Sequence, residues 1–270
     1  MERLKKSILY TDMDGTLIDD KKSVSRANID AIRHFVALGG KFSVATGRSE
    51  VIAAPFLKEL PINMPAILYN GAVVYDFASK SFLQMECVDR QTVLTMVRAA
   101  MECYPEVCVE VYTDGIIQLL NPEGLMDHYI PAENQPYVYA EPDSCGDCIK
   151  LIFYGENARL KEVEKKIYET AGKSCFISTF SAPFYLEILP QNVSKGSALQ
   201  FIIDHCGENP KDFAAIGDFY NDVAMIEAAS LGAAPSNAPE DVKVHAQLVV
   251  ADNNHNALAD LIENYLIEKD

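Results

Sequence analysis

What most constrains the fold of this chain is a set of short, unbroken apolar runs near both ends, each followed by a helical pattern. Near the N-terminus the runs are residues 7–11, 42–45 and 66–69. Between the first two, residues 25–38 place Ile29, Ile32 and Val36 on one helical face, with Ser25 as candidate N-cap and Gly39-Gly40 as the stop. The alternation returns late in the chain: a helix over 195–206, a strand over 213–216, a helix over 222–229 and a strand over 248–251. A final helix turns Leu258, Leu261, Ile262, Tyr265 and Leu266 inward. Strands separated by helices pair in parallel, and strands this apolar need cover on both faces. The expected class is α/β, with a Rossmann-like parallel sheet core and helices on both faces.

The middle of the chain follows another pattern. Residues 89–103 and 157–171 read as helices. Residues 107–120 read as a hairpin turning at Asp114-Gly115, followed by a proline-rich irregular stretch over 121–143. A strand over 148–154 and two more up to Leu189 complete the set. Helices grouped with adjacent antiparallel strands imply a separate module. The expected organisation is a core of residues 1–84 and 187–270, interrupted by an inserted α+β cap domain over 85–186.

Composition excludes several partners. A formal net charge of -16 repels nucleic-acid backbones and anionic lipid, so the expected partner is neither. No run approaches the roughly 18 apolar residues of a membrane span. Seven scattered Cys suit a reduced, cytoplasmic chain, with Cys145 and Cys148 a lone CxxC lacking two further zinc ligands at matching spacing. None of the five His forms an HxH or HxxxH pair, and no GxxxxGK[ST] loop occurs.

Four segments carry chemistry. Asp12-Met13-Asp14-Gly15-Thr16 directly follows the first apolar run. Side chains at i and i+2 of an extended chain leave one face, so Asp12 and Asp14 can converge at the carboxyl end of a strand, where open α/β sheets bind ligands. Two such carboxylates repel unless a divalent cation joins them or one holds a proton. An EF-hand would need Glu at the twelfth loop position, which is Ser23. The other alternative is a pair of solvated loop carboxylates. Thr46-Gly47-Arg48 ends the second strand and offers several phosphate donors. Lys195 opens a helix; by itself such a residue is more often a solvated lysine. Gly217-Asp218-Phe219-Tyr220-Asn221-Asp222 follows the strand over 213–216, with Asn221 and Asp222 also suited to capping a helix. Oxygen ligands from separate strand ends are what Mg²⁺ accepts.

In order and spacing these segments resemble the haloacid dehalogenase-like hydrolase superfamily: DxDGT, a Thr ending strand two, a Lys, and GDxxND. The long insert, Asn70-Gly71-Ala72, Lys195-Gly196, and Asn237-Ala238 followed by Lys243 resemble its Cof-type (IIB) branch. The resemblance implies a phosphatase of small phosphorylated metabolites, sugar phosphates first, acting as a monomer or weak homodimer. Asp12 would be the nucleophile and form an aspartyl-phosphate, and Asp14 the general acid and base. Asp12, the Asp14 carbonyl and Asp218 would hold Mg²⁺, with Asp222 supporting it through water. Thr46 and Lys195 would bind the transferring phosphoryl group, Asn221 would orient it, and Gly47 and Arg48 would assist. A phosphomutase or phosphotransferase, or a non-catalytic phosphometabolite sensor, are the alternatives. One segment departs from the pattern: where relatives carry an acidic residue and Gly-Val, this chain has Ala251-Asp252-Asn253-Asn254-His255-Asn256-Ala257.

Overall fold

The computed structural model describes residues 3–113, 116–121, 136–172 and 174–268. The first segment holds β1 (Arg3–Leu4), β2 (Ile8–Thr11), α1 (Arg26–Ala37), β3 (Lys41–Val44), α2 (Glu50–Leu57), β4 (Ala66–Leu68), β5 (Val73–Asp76) and β6 (Ser81–Met85). Then come α3 (Arg90–Cys103), β7 (Cys108–Tyr112), β8 (Ile117–Leu120), β9 (Tyr137–Tyr139), β10 (Lys150–Tyr154), α4 (Asn157–Ala171), β11 (Phe176–Ala182) and β12 (Tyr185–Pro190). The last segment holds α5 (Lys195–Cys206), β13 (Phe213–Ile216), α6 (Val223–Ala228), β14 (Leu231–Pro235), α7 (Glu240–Lys243), β15 (Leu248–Val250), α8 (Ala257–Leu261) and β16 (Ile267–Glu268). Among the described residues no helix is long and apolar enough to cross a membrane.

Two compact units result, Met1–Gln84 with Ser194–Asp270, and Met85–Val193. The first contains a five-stranded sheet in the order β15-β14-β13-β2-β3, parallel throughout. Every residue of β2 and β13 is buried, as strands covered on both faces require. On one face Ile8, Tyr10, Phe213 and Ala215 pack with Ala198, Leu199 and Ile202 of α5 and Met225 of α6. The alternate residues Leu9, Phe42, Val44 and Ala214 are equally buried on the other face, where α1 packs along β3 and α8 along β15. Strand order reverses at β2: the chain moves through α1 to β3 on one side and later through α5 to β13 on the other. That reversal opens a crevice at the carboxyl ends of β2, β3 and β13.

The third apolar run pairs differently from its expectation. It forms β4, which pairs antiparallel with β5 in a three-stranded sheet β4-β5-β6. It meets the parallel sheet through a parallel Ala45–Ile67 bridge and packs Ile67 against Ile8 and Tyr10. The final helix also departs: it widens into a π-helical turn over Ile262–Leu266, which rotates Tyr265 to 36% exposure while Leu258, Leu261, Ile262 and Leu266 stay buried.

The second unit is a six-stranded sheet in the order β11-β12-β10-β7-β8-β9, antiparallel except for β8 with β9. Val109, Val111, Leu151, Phe153, Leu186 and Ile188 project from one face onto α3 and α4. The hairpin strands β7 and β8 pair as expected, and the turn at Asp114-Gly115 lies outside the described residues, as do residues 122–135 of the proline-rich stretch. The expected return crossing near residue 186 falls inside β12, which is hydrogen-bonded to β10 and β11, so the chain leaves this unit at Val193. Cys145 and Cys148 are unpaired and buried in this apolar core, and burial pushes both thiols up, away from reactive thiolate.

Helix α5 lies so close to α6 that a Cβ on Gly196 would sit 2.4 Å from the Ala224 carbonyl oxygen. Gly196→Ala is therefore expected to lower stability by roughly 1–3 kcal/mol, the usual cost of overpacking. Gly146→Ala, with nothing within 4 Å of the added carbon, should change it by less than about 0.5 kcal/mol. Urea unfolding of both variants checks this; equal midpoints would refute the close approach.

Candidate active site

Strand β2 ends at Thr11, and the Asp12 N–H donates to the Ile216 carbonyl at 2.8 Å, which joins the ends of β2 and β13. Lys195 is the first residue of α5, whose N-cap Ser194 and Ser197 form a reciprocal capping box. This fixes the helix start and delivers Lys195 into the sheet edge with no exposure. Its Nζ donates to Asp12 Oδ1 and to Asp222 Oδ1, each at 2.6 Å. Asp222 Oδ2 accepts the backbone N–H groups of Asp218 (3.1 Å) and Phe219 (3.0 Å), folding the loop after β13 around its own carboxylate. Thr16 Oγ1 donates to Asp218 Oδ1 at 3.0 Å.

Asp12, Asp218 and Asp222 each bring a carboxylate oxygen within 4.8 Å of the others, and no other such group of metal-ligating side chains occurs among the described residues. Burial, with Asp222 and Asp218 nearby, drives the Asp12 carboxyl well above its ordinary range despite Lys195. Burial and Asp222 lift Asp218 to about 6. Burial disfavours the Lys195 ammonium, but Asp12 and Asp222 outweigh it and raise its pKa. Three crowded carboxylates share one ammonium, and the excess negative charge suits a hard divalent cation. Among the described residues no hydrogen bond engages Asp12 Oδ2 or Asp218 Oδ2, whereas both Asp222 oxygens are engaged. Asp222 is thus an anchor for Lys195 and for the loop, and the pair that fits a cation directly is Asp12 with Asp218.

Asp14 stands apart from that cluster. Arg48 grips it with a two-pronged hydrogen bond, Nε to Oδ2 and Nη2 to Oδ1, both 2.7 Å, and Lys22 Nζ adds a contact at 3.3 Å. Burial alone would raise the Asp14 carboxyl; the Arg48 and Lys22 charges more than compensate and hold it below its ordinary value. The Arg48 guanidinium rests on the Phe56 ring of α2, 4.7 Å from the centroid. The residue expected to assist phosphate binding is thus seated on the carboxylate expected to move protons. Thr46, 1% exposed, accepts the Arg48 N–H through its hydroxyl at 3.2 Å, and Gly47 lies between them. Asn221 is exposed and donates through Nδ2 to Asn70 Oδ1 at 2.9 Å.

Several participants carry no single-residue signal in the sequence. Asn237 Nδ2 donates to the Gly15 carbonyl at 2.8 Å, and its Oδ1 accepts the Asn253 N–H at 3.1 Å. Asn253 Nδ2 donates to the Ile18 carbonyl (3.2 Å) and to Asp20 Oδ1 (3.1 Å). The departing segment over 252–257 therefore docks on the loop that follows Asp14. Asn237-Ala238 stands out in the sequence only as part of a pattern, and Asn253 only as part of the departing segment.

The model of the haloacid dehalogenase-like hydrolase family matches residues 9–262. Pyridoxal phosphate phosphatase YbhA of Escherichia coli (strain K12) is 26% identical over 274 residues, covering 96% of this chain and 98% of that protein. The crystal structure of TM0651 from Thermotoga maritima is similar with a TM-score of 0.86 at 26% identity over 98% of each chain. That of the subclass IIB sugar phosphatase BT4131 is similar in fold, with a TM-score of 0.79 at 22% identity over 96% of this chain and 98% of that one. With the four motif segments meeting at one sheet edge and the family match running through both units, the chain belongs to the haloacid dehalogenase-like hydrolases and has the fold of their Cof-type (IIB) branch.

Proposed function

We propose that this protein is a Mg²⁺-dependent phosphoric monoester hydrolase that removes phosphate from small phosphorylated metabolites, sugar phosphates foremost, with Asp12 as nucleophile. The observation that carries the reading is the buried Asp12 carboxylate, held by Lys195 and clustered with the Asp218 and Asp222 carboxylates. The phosphatases among its relatives, one for pyridoxal phosphate and one for a sugar phosphate, support the substrate class.

Asp12 and Asp218, with the Asp14 carbonyl, would hold Mg²⁺, which supplies positive charge between the nucleophile and the phosphoryl oxygens. Lys195 fixes the Asp12 carboxylate and offsets its charge. Asp12 attacks phosphorus as the ester bond to the leaving oxygen breaks; Asp14 donates a proton to that oxygen, then accepts one from the water that hydrolyses the aspartyl-phosphate. Asp14 must hold a proton for the first of these steps. Exchange of Arg48 from Asp14 to the phosphoryl group would let the Asp14 pKa rise at that moment, and would make Arg48 the phosphate ligand its position suggested. Thr46, Gly47 and Asn221 complete the phosphoryl contacts.

Three outcomes are expected. Asp12→Asn forms no phosphoenzyme, while Asp14→Asn forms one and turns over roughly 10²–10⁴-fold more slowly. Mass spectrometry of acid-quenched protein separates the two, and a phosphoryl group on any other residue would sink the assignment. Lys195→Met leaves Asp12 and Asp222 buried without their cation and should lose several kcal/mol of stability, on the order of 3–5; chemical denaturation measures it, and an unchanged midpoint would contradict the buried triad. Mg²⁺ should raise the thermal midpoint more at pH 7.5 than at pH 5. Asp218, near 6, and Asp12, which burial also raises, bind protons more readily at the lower pH, and a cation must displace them. Equal increments at the two pH values would count against these ligands.

A further inference from the structure

Between β4 and β5 the backbone does something sequence patterns do not favour. Tyr69 (φ 49), Asn70 (φ 56) and Gly71 (φ 105) are consecutive left-handed residues. Only Gly, and less readily Asn or Asp, adopts that region routinely, so a buried Tyr there is held by its surroundings. The restraints are visible. The Tyr69 N–H donates to the Arg48 carbonyl at 3.1 Å and the Asn70 N–H to the Thr46 carbonyl at 3.0 Å. A Cβ on Gly71 would lie 2.1 Å from the Ser194 carbonyl oxygen, beside Lys195. The turn is therefore bolted to the Thr46-Gly47-Arg48 loop and to the start of α5.

The result is a placed amide. A Cβ built on Gly47 would sit 3.0 Å from Asn70 Oδ1 and 3.2 Å from Nδ2, so the Asn70 amide occupies the space that glycine leaves. Asn70 Oδ1 accepts from Asn221 Nδ2, which fixes the orientation of the amide. Among the described residues Asn70 Nδ2 donates to nothing. A directed donor without a protein partner, between two loops that offer phosphate contacts, is suited to an anionic oxygen.

We propose that Asn70 is a substrate-binding residue whose Nδ2 donates to an oxygen of the phosphoester bound beside Gly47. This rests on the phosphatase reading. Two variants separate binding from structure. Asn70→Gly keeps the left-handed turn and removes the amide. Asn70→Asp keeps an acceptor for Asn221 and tolerates the turn, but replaces the donor with a carboxylate.

The experiment measures, in Mg²⁺ at pH 7.5, KM for p-nitrophenyl phosphate and Ki for inorganic phosphate, with thermal melting alongside. Loss of a hydrogen bond to a charged oxygen should raise both constants on the order of tenfold or more in Asn70→Gly. Asn70→Asp should be weaker still, with melting close to wild type. A purely structural Asn70 predicts the opposite ranking, since Asp retains the Asn221 contact. Ki within twofold of wild type in either folded variant would overturn the proposal while leaving the phosphatase reading intact. Absence of hydrolysis and of phosphate binding in the wild type would overturn both.

Discussion

The Lys195 ammonium, wedged without solvent between Asp12 and Asp222, is the interaction on which the rest of the site depends. It ties together the ends of β2, β13 and the start of α5. It is poorly placed for the helix it opens, because a cation at a helix N-terminus opposes the helix dipole. Nor is a buried ion pair a general source of stability, since desolvating both partners offsets most of their attraction. Its effect is geometric: with Asp222 also gripping the loop after β13, one ammonium sets the distance between the Asp12 and Asp218 carboxylates. The capping box at Ser194 and Ser197 supplies the stability that Lys195 does not.

Two carboxylates two residues apart acquire opposite electrostatic surroundings. Asp12 is driven up by burial and by neighbouring carboxylates, while the Arg48 and Lys22 charges bring Asp14 down. Environments that separate two pKa values are how a single motif takes on two roles. Here the directions are those of a resting site. A nucleophile must be ionised and a proton donor protonated, and each condition calls for a charge that substrate and cation would bring. Without them Arg48 rests on the Phe56 ring and on Asp14, and Lys195 holds Asp12.

Much of this was legible in the chain. The residues of β2, α1 and β13, and the Ser25 cap of α1, follow from apolar period and capping chemistry. So does the meeting of Asp12 and Asp218, because both follow buried strands of one parallel sheet. Strand β14 was not legible. Its Leu-Gly-Ala-Ala-Pro run has little intrinsic β preference, and it is a strand because β13 and β15 flank it in register. The role of β4 was hidden for a similar reason, since an antiparallel partner from β5 competes for it. In the sequence Arg48 reads as a phosphate donor, because a guanidinium at a strand end suits an anion. Which anion it meets is decided by Asp14, 34 positions away, and no local spacing encodes that.

The segment that departs from the family pattern shows how such a change is absorbed. Asn253 and Asn254 face the loop after Asp14 as amides, and Asp20 receives donors from both. An acidic residue in place of either donor would set carboxylate against carboxylate, whereas an amide supplies N–H groups and adds no charge. Asn237 links this contact back to Gly15 through a second amide. The loop bearing Asp14 is thus gripped through its carboxylate by Arg48 and through its backbone by asparagines from the opposite end of the chain. The first grip can be exchanged for a bound anion, since guanidinium recognises either. The second cannot, because its acceptors are the Gly15 and Ile18 carbonyls and the Asp20 carboxylate of the loop itself. A substrate that draws Arg48 away would therefore free the side chain of Asp14 without freeing the loop that carries it.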